Sequence, residues 1–250
     1  MRTWDDGGGT TLDPEEARRF EALADEWWDP HGKFRPLHNF NPARLGYLRG
    51  RLVGHFGRDP LARRPLEGLR LVDLGCGGGL VAEPMARLGA SVVGCDAVPA
   101  NVGAAAAHAA QAGLEIDYRH CLAEDLVAAG ESFDVVLALE VVEHVADVPL
   151  FLHACRRLLR PGGCLGVATI NRTAKSLLLA KIGAEYVLGW LPRGTHDWRR
   201  FLRPSEIAAH LRREGLTVRD VTGVTYAPLT NEWRLSADTD VNYMLTATAG

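Results

Sequence analysis

Apolar and polar positions along the chain repeat at two different periods. Leu69–Leu74, Ser91–Cys95, Ile116–His120, Phe133–Leu139, Cys164–Ile170, Leu216–Thr222 and Asn242–Thr248 are short, largely apolar runs bounded by glycine, proline or charge. Such runs predict strands, and the least charged of them, Phe133–Leu139, predicts a central one. Between them lie stretches with apolar residues three and four apart, Leu80–Leu88, Pro99–Ala112, Val148–Leu159 and Pro204–Glu214, which predict helices. The alternation predicts an α/β fold with a seven-stranded, mostly parallel sheet, helices on both faces and an antiparallel last strand.

Ahead of the sheet the pattern changes. Residues 1–10 are polar and glycine-rich and predict a disordered start, and residues 11–60 predict a helical extension or lid. Asp13-Pro14-Glu15-Glu16 supplies an N-cap, a first-turn proline and a capping-box glutamate, for a helix running to Trp27 and Trp28. Adjacent tryptophans point to different helix faces, so one can pack on the body while the other lines an opening, or both can join the core. Asn41-Pro42 predicts the start of a second helix carrying Leu45, Leu48, Leu52, Val53 and Phe56. Residues 61–250 form the main domain, interrupted by an insert over 171–203.

Charge and cysteine content narrow the class. The 250 residues carry a net charge of −3, which gives no overall basic field for nucleic acid. The insert alone carries +5, leaving −8 for the rest, and Leu178, Leu179, Ile182, Tyr186 and Trp190 share one helical face within it. A basic amphipathic helix in an acidic protein predicts contact with an anionic membrane surface or a lid over an apolar substrate. The five cysteines show no zinc spacing and read as reduced core thiols of a cytoplasmic protein. No apolar run approaches the ~20 residues of a spanning helix, so the expectation is a soluble or peripheral protein.

The chemistry gathers around Leu71–Gly79, an apolar strand breaking into Gly75-Cys76-Gly77-Gly78-Gly79. Glycine there admits a ligand to backbone amides. A dinucleotide fingerprint would put its third glycine at position 80, which is Leu, so a different ligand is favoured. Asp73, two residues before Gly75, suits an ammonium, and Asp96 at the end of the next strand stands where an acid binds ribose hydroxyls. Asp-x-Gly-x-Gly-x-Gly resembles motif I of the class I methyltransferases, which bind S-adenosylmethionine. That resemblance implies an adenine contact from Glu124 or Asp125 and a backbone contact from Leu139. Arg44 is placed to pair with the cofactor's carboxylate.

After the fourth strand, Glu140, Glu143 and His144 are three and four apart, so one helical turn gathers them. Two carboxylates and an imidazole suit a hard cation such as magnesium (Mg2+), and His144 suits a proton acceptor for a phenol. The same turn also serves metal-free class I enzymes. His196, after the insert, is a second candidate base.

Taken together, the sequence resembles the ubiquinone-biosynthesis O-methyltransferase family. The resemblance rests on Phe20–Ala24 with Trp27-Trp28-Asp29-Pro30, Asn41–Arg44, Asp73–Gly79, Glu140–His144, Gly183–Tyr186, Gly194–Asp197 and Asp240–Tyr243. It implies a Rossmann-like class I methyltransferase fold that methylates phenolic or catechol hydroxyls of polyprenyl ubiquinone precursors such as demethylubiquinol. It implies cofactor contacts from Arg44, Gly75, Gly77, Asp96 and Leu139, with Glu140, Glu143 and His144 as the metal set. It further implies a place on the inner face of the membrane beside other ubiquinone-biosynthesis proteins. Methylation of another small phenol, or cofactor binding without turnover in a biosynthetic complex, stays open on the sequence alone.

Overall fold

A computed structural model describes residues 9–178, 197–227, 230 and 232–250. Its sheet contains β1 (Arg70–Leu74), β2 (Ser91–Asp96), β3 (Asp117–His120), β4 (Phe133–Leu139), β5 (Leu159–Ile170), β6 (Leu216–Ala227), β7 (Glu232–Ser236) and β8 (Asn242–Ala249). The strand order is β3-β2-β1-β4-β5-β8-β6-β7. Strands β1 to β5 pair in parallel, while β8 runs antiparallel between β5 and β6.

Side chains alternate across the pleat and so feed two cores. Val136 and Ala138 of β4 join one with Leu126, Leu152, Ile207 and Leu211. Those partners come from α5 (Ala123–Ala128), α6 (Val148–Leu158) and α7 (Pro204–Arg213). Val135, Leu137 and Leu139 join the other, against Leu48 and Leu52 of α2 (Arg35–His55) and Met85 of α3 (Ala82–Arg87). With both faces covered, the parallel strands need no polar alternation.

Four elements differ from the sequence expectation. The first helix, α1 (Pro14–Glu21), ends seven residues before Trp28, and a 3-10 turn over Ala24–Glu26 redirects the chain so that both tryptophans meet the body. Helix α2 starts at Arg35, with Pro36 in its first turn, and keeps Pro42 inside. Proline costs that helix one hydrogen bond, to the His38 carbonyl, and buried Phe40, Tyr47, Leu48 and Leu52 outweigh the loss. Strand β5 begins at Leu159 and absorbs Pro161-Gly162-Gly163 in an irregularity between Phe133 and Val135 of its partner. The sheet has an eighth strand, β7, paired with β6 from Gly223↔Ser236 to Ala227↔Glu232. Its Glu-Trp-Arg-Leu-Ser sequence alternates polar and apolar residues, the period of a half-exposed strand, over only five residues.

Residues 1–8 of the expected disordered start lie outside the described residues, as do Leu179, Ile182, Tyr186 and Trp190 of the insert face. Among the described residues no helix is long and apolar enough to cross a membrane.

Candidate active site

Strands β1, β2, β4 and β5 deliver their carboxyl ends to one cavity of about 980 Å3, lined by Asp73, Gly75, Asp96, Leu139, Glu140 and Ile170 among others. This is the edge where open α/β sheets bind ligands. Gly75 and Gly77 both adopt left-handed backbone, with φ of 69° and 53°. A Cβ on Gly75 would lie 2.6 Å from Val141 Cγ2, and one on Gly77 would collide with the Trp27 ring. Glycine at 77 therefore makes room for a tryptophan as well as a ligand.

Asp96 is the hub of the β2 end. Its Oδ2 accepts from the Gly77 N–H at 2.8 Å, and its Oδ1 accepts from Val98 N–H at 2.8 Å and Asn101 Nδ2 at 3.1 Å. Asn101, on α4 (Pro99–Gln111), in turn accepts from Trp27 Nε1 at 2.8 Å. Trp28 stacks on His108, centroids 3.4 Å apart, and donates to the Gly78 carbonyl at 2.8 Å. The two indoles thus clamp the glycine loop from the covering side.

Arg44 is 3% exposed. Asn41, expected as a cap, works instead as its support: Asn41 Oδ1 accepts from Arg44 Nη2 at 2.9 Å while its amide donates to the Leu80 carbonyl at 2.7 Å. Burial lowers the Arg44 pKa, opposed by the charges of Glu140 and Asp73. Among the described residues no carboxylate forms an ion pair with it. Burial also pushes Asp73 up to about 7, against the pull of Arg44.

Beyond β4 the chain makes a single turn, closed by His144 N–H to the Val141 carbonyl at 2.9 Å, in place of a helix. Glu140 has a φ of 54°, left-handed backbone that is rare for a residue with a side chain. Its Oε1 is buried without a hydrogen-bond partner, and burial, then Glu143, push its pKa up to about 8. Glu143 accepts from Thr169 Oγ1 at 2.8 Å. His144 Nδ1 pairs with Glu16 Oε2 at 2.8 Å, so Glu16 turns away from the capping role expected of it. Burial alone would lower the His144 pKa, but the Glu16 hydrogen bond and the surrounding carboxylates carry it above the ordinary histidine value.

Residues 72–167 match the family model described as a methyltransferase domain. Over 238 residues the chain is 60% identical to the ubiquinone biosynthesis O-methyltransferase of Sinorhizobium medicae, covering 95% of this chain and 96% of that one. The protein of the same name from Chelativorans sp. is 59% identical over 238 residues, covering 95% and 94%. The chain belongs to the ubiquinone biosynthesis O-methyltransferase family. Its fold is that of class I methyltransferases: the magnesium protoporphyrin IX methyltransferase of Synechocystis PCC 6803 with bound SAM superposes with a TM-score of 0.64 at 17% identity, over 97% of this chain and 100% of that one.

Within this family member the structure brings Arg44, Asp73, Gly75, Gly77, Asp96, Leu139, Glu140, Glu143 and His144 to the one cavity. Glu124 is a correction. Its Oε1 accepts from Thr11 N–H and its Oε2 from Thr11 Oγ1, both at 2.8 Å, so it ties down the N-terminal segment away from the cavity lining. Asp125 accepts from Leu122 N–H at the start of its own helix.

The magnesium set is a second correction. Among the described residues no three His, Cys, Asp or Glu side chains are arranged to hold a metal ion. Glu143 is turned to Thr169 and His144 to Glu16, so the donors do not converge and do not fit the cation. His196 lies outside the described residues. Sequence reasoning missed Glu16 as a His144 partner, Asn101 as the Asp96 support and Trp233 as a cavity wall. Glu16 and Trp233 depend on contacts between distant segments that no local spacing encodes, whereas Asn101 lies only five residues from Asp96.

Proposed function

We propose that the protein transfers the methyl group of S-adenosylmethionine to a phenolic oxygen of a catechol or quinol carrying a polyprenyl tail, the precursor class of ubiquinone. One observation carries this reading. A single cavity joins a glycine loop and ribose-type acid, a buried cation without an ion-pair partner among the described residues, an imidazole held by a carboxylate, and a largely apolar wall. The name shared by the relatives supports the pathway.

The residues present fit the cofactor, because the buried Arg44 guanidinium matches a carboxylate and Asp96 matches a ribose diol. When bound, S-adenosylmethionine supplies an electrophilic methyl whose carbon–sulfur bond breaks as the carbon–oxygen bond forms, the electron pair returning to sulfur. Arg44 binds the tail carboxylate, Asp96 orients the sugar, and the Leu139 backbone lines the path between them. A phenol attacks well only once its proton, held with a pKa of about 10, is removed. The Glu16 carboxylate keeps the proton of neutral His144 on Nδ1 and the lone pair on Nε2, which accepts the phenol proton.

The reading sets the enzyme on the anionic inner face of the membrane, in the cytoplasm, with other ubiquinone-biosynthesis proteins as neighbours. Leu177 and Leu178, 36% and 56% exposed, support an apolar approach to lipid. Purified protein given labelled cofactor and a short-chain catechol under reducing conditions is expected to form the methyl ether; absence of the ether overturns the reading. Leu178→Glu is expected to lower recovery with anionic liposomes in a flotation assay.

A further inference from the structure

The edge hairpin of β6 and β7 adds one strand beyond the sheet that holds the cofactor residues, and β7 pairs with β6. Its cavity-facing side is aromatic. Tyr226 and Trp233 are direct cross-strand partners, with ring centroids 5.4 Å apart, and Trp233 packs on Phe40 of α2 at 5.1 Å. All three line the cavity, as does Val224, which pairs with Leu235 in the same register. Directly opposed residues share a face. Leu235 is 48% exposed, so Val224, Tyr226, Trp233 and Leu235 form an apolar track from the cavity to solvent. The other face carries the exposed Glu232–Arg234 ion pair.

The polar cofactor groups, Asp73, Gly75, Gly77 and Asp96, come from β1 and β2 on the far side of β4, β5 and β8 in the strand order. The aromatic track contributes no charge to the cavity and so suits an apolar part of a ligand. A tryptophan offers a broad, rigid face at small cost in side-chain entropy, the type of residue that dominates apolar recognition.

Resting on the functional reading above, we infer that Trp233, with Tyr226 and Phe40 behind it, is the specificity-determining wall for the acceptor: it seats the apolar chain of the catechol and leads it out along Leu235. Trp233 takes no part in cofactor binding or in the proton transfer.

The test measures binding by calorimetry, on the full chain saturated with S-adenosylhomocysteine, of two probes: bare catechol and catechol bearing a long isoprenoid chain. Wild type is expected to bind the chain-bearing probe more tightly. Trp233→Ala is expected to weaken that probe by about tenfold or more while changing bare catechol and S-adenosylhomocysteine by less than about threefold. Trp233→Phe, which keeps an aromatic wall and guards against a misfolded alanine variant, is expected to retain most of the preference. Equal weakening of both probes, or a parallel loss of S-adenosylhomocysteine, overturns the inference and leaves the functional reading standing. If wild type binds S-adenosylhomocysteine but neither catechol, the functional reading fails and the inference with it.

Discussion

Asp96 and the glycine loop are fastened to each other by backbone amides, with the Gly77 N–H and its carboxylate partner only 19 residues apart. The layer that covers them is fastened by side chains from across the chain: Thr11 to Glu124 spans 113 positions, Trp27 to Asn101 spans 74, and Glu16 to His144 spans 128. Both regions face the same cavity. In the first, the donors follow within a few residues of the strand ends. The second is an N-terminal segment held by a few separate ties, each of which can open without unfolding the sheet. On the proposed reading, the sheet edge supplies cofactor affinity, while the covering layer supplies closure and the placement of the base.

That division is most severely tested at Asp96. Asp96→Ala leaves the buried Gly77 and Val98 amides without their acceptor and removes the ribose contact. The amide bonds are lost from free and bound protein alike, so the change in affinity is that of the sugar contact, about 3 kcal/mol, and S-adenosylhomocysteine affinity by calorimetry is expected to fall by about 10²-fold. A drop of only a few-fold would move the cofactor's anchor to the covering layer and dissolve the distinction.

Glu16→Gln tests the covering layer at its catalytic tie. Proton transfer by a well-placed base contributes about 10²-fold or more, and losing the carboxylate that fixes the His144 tautomer is expected to lower kcat/KM by about 10² while leaving S-adenosylhomocysteine affinity alone. The pH profile gives the sign. The base must be neutral, so activity rises with pH through the His144 pKa, which lies above the ordinary histidine value partly because of Glu16. Without that carboxylate burial acts with less opposition, and the acid limb of kcat/KM is expected to move to lower pH. An unmoved limb with a lower plateau would reduce Glu16 to a packing role.

The same division explains what could be read from the chain. That Asp73, Gly75, Gly77 and Asp96 share one sheet edge was legible because a strand, a turn and a helix start impose fixed spacing there. The first five strands, taken along the chain, were legible from their apolar runs, and so was the central place of β4. Glu124 was misplaced because an acid after β3 has two partners in reach, and only the fold shows that Thr11 reaches it first. Glu140, Glu143 and His144 were correctly gathered, but as one helical turn; the left-handed φ at Glu140 and the pull of Thr169 and Glu16 spread their donors instead. Pro42 suggested a helix start because proline is disfavoured inside helices, a rule that tertiary packing along α2 overrides.

Trp27→Ala weakens closure without touching the sheet edge. It removes the ring over Gly77 and Gly78 and leaves Asn101 without its indole donor. The expected result is a dissociation rate for S-adenosylhomocysteine about tenfold faster with a nearly unchanged association rate, read by stopped-flow displacement. An unchanged dissociation rate would mean that the indole covers the loop without retaining the cofactor.

The smallest effect belongs to Asp13, where the N-terminal segment meets the chain that follows the insert. Asp13 accepts from the Glu15 and Glu16 amides at 2.9 and 3.2 Å, capping α1, and pairs with Arg200 Nη2 at 2.7 Å. Asparagine is as good a cap, so Asp13→Asn removes the charge and keeps the helix start. Burial opposes ionisation of Asp13, but the Arg200 and amide hydrogen bonds win and hold its pKa below the usual carboxylate value. A depressed folded pKa contributes stability above the unfolded value, and that contribution is lost as pH falls through the folded one. Arg200 is more than a third exposed, so after solvent screening the pair is worth about 0.5 kcal/mol, or about 1–2 °C in Tm at neutral pH. The variant is expected to show that deficit at low salt and neutral pH and to converge on wild type both at high salt and in acid, where Asp13 is protonated. A deficit that persists in both conditions would assign Asp13 to the helix cap alone, and the covering layer would lose its tie to the segment beyond the insert.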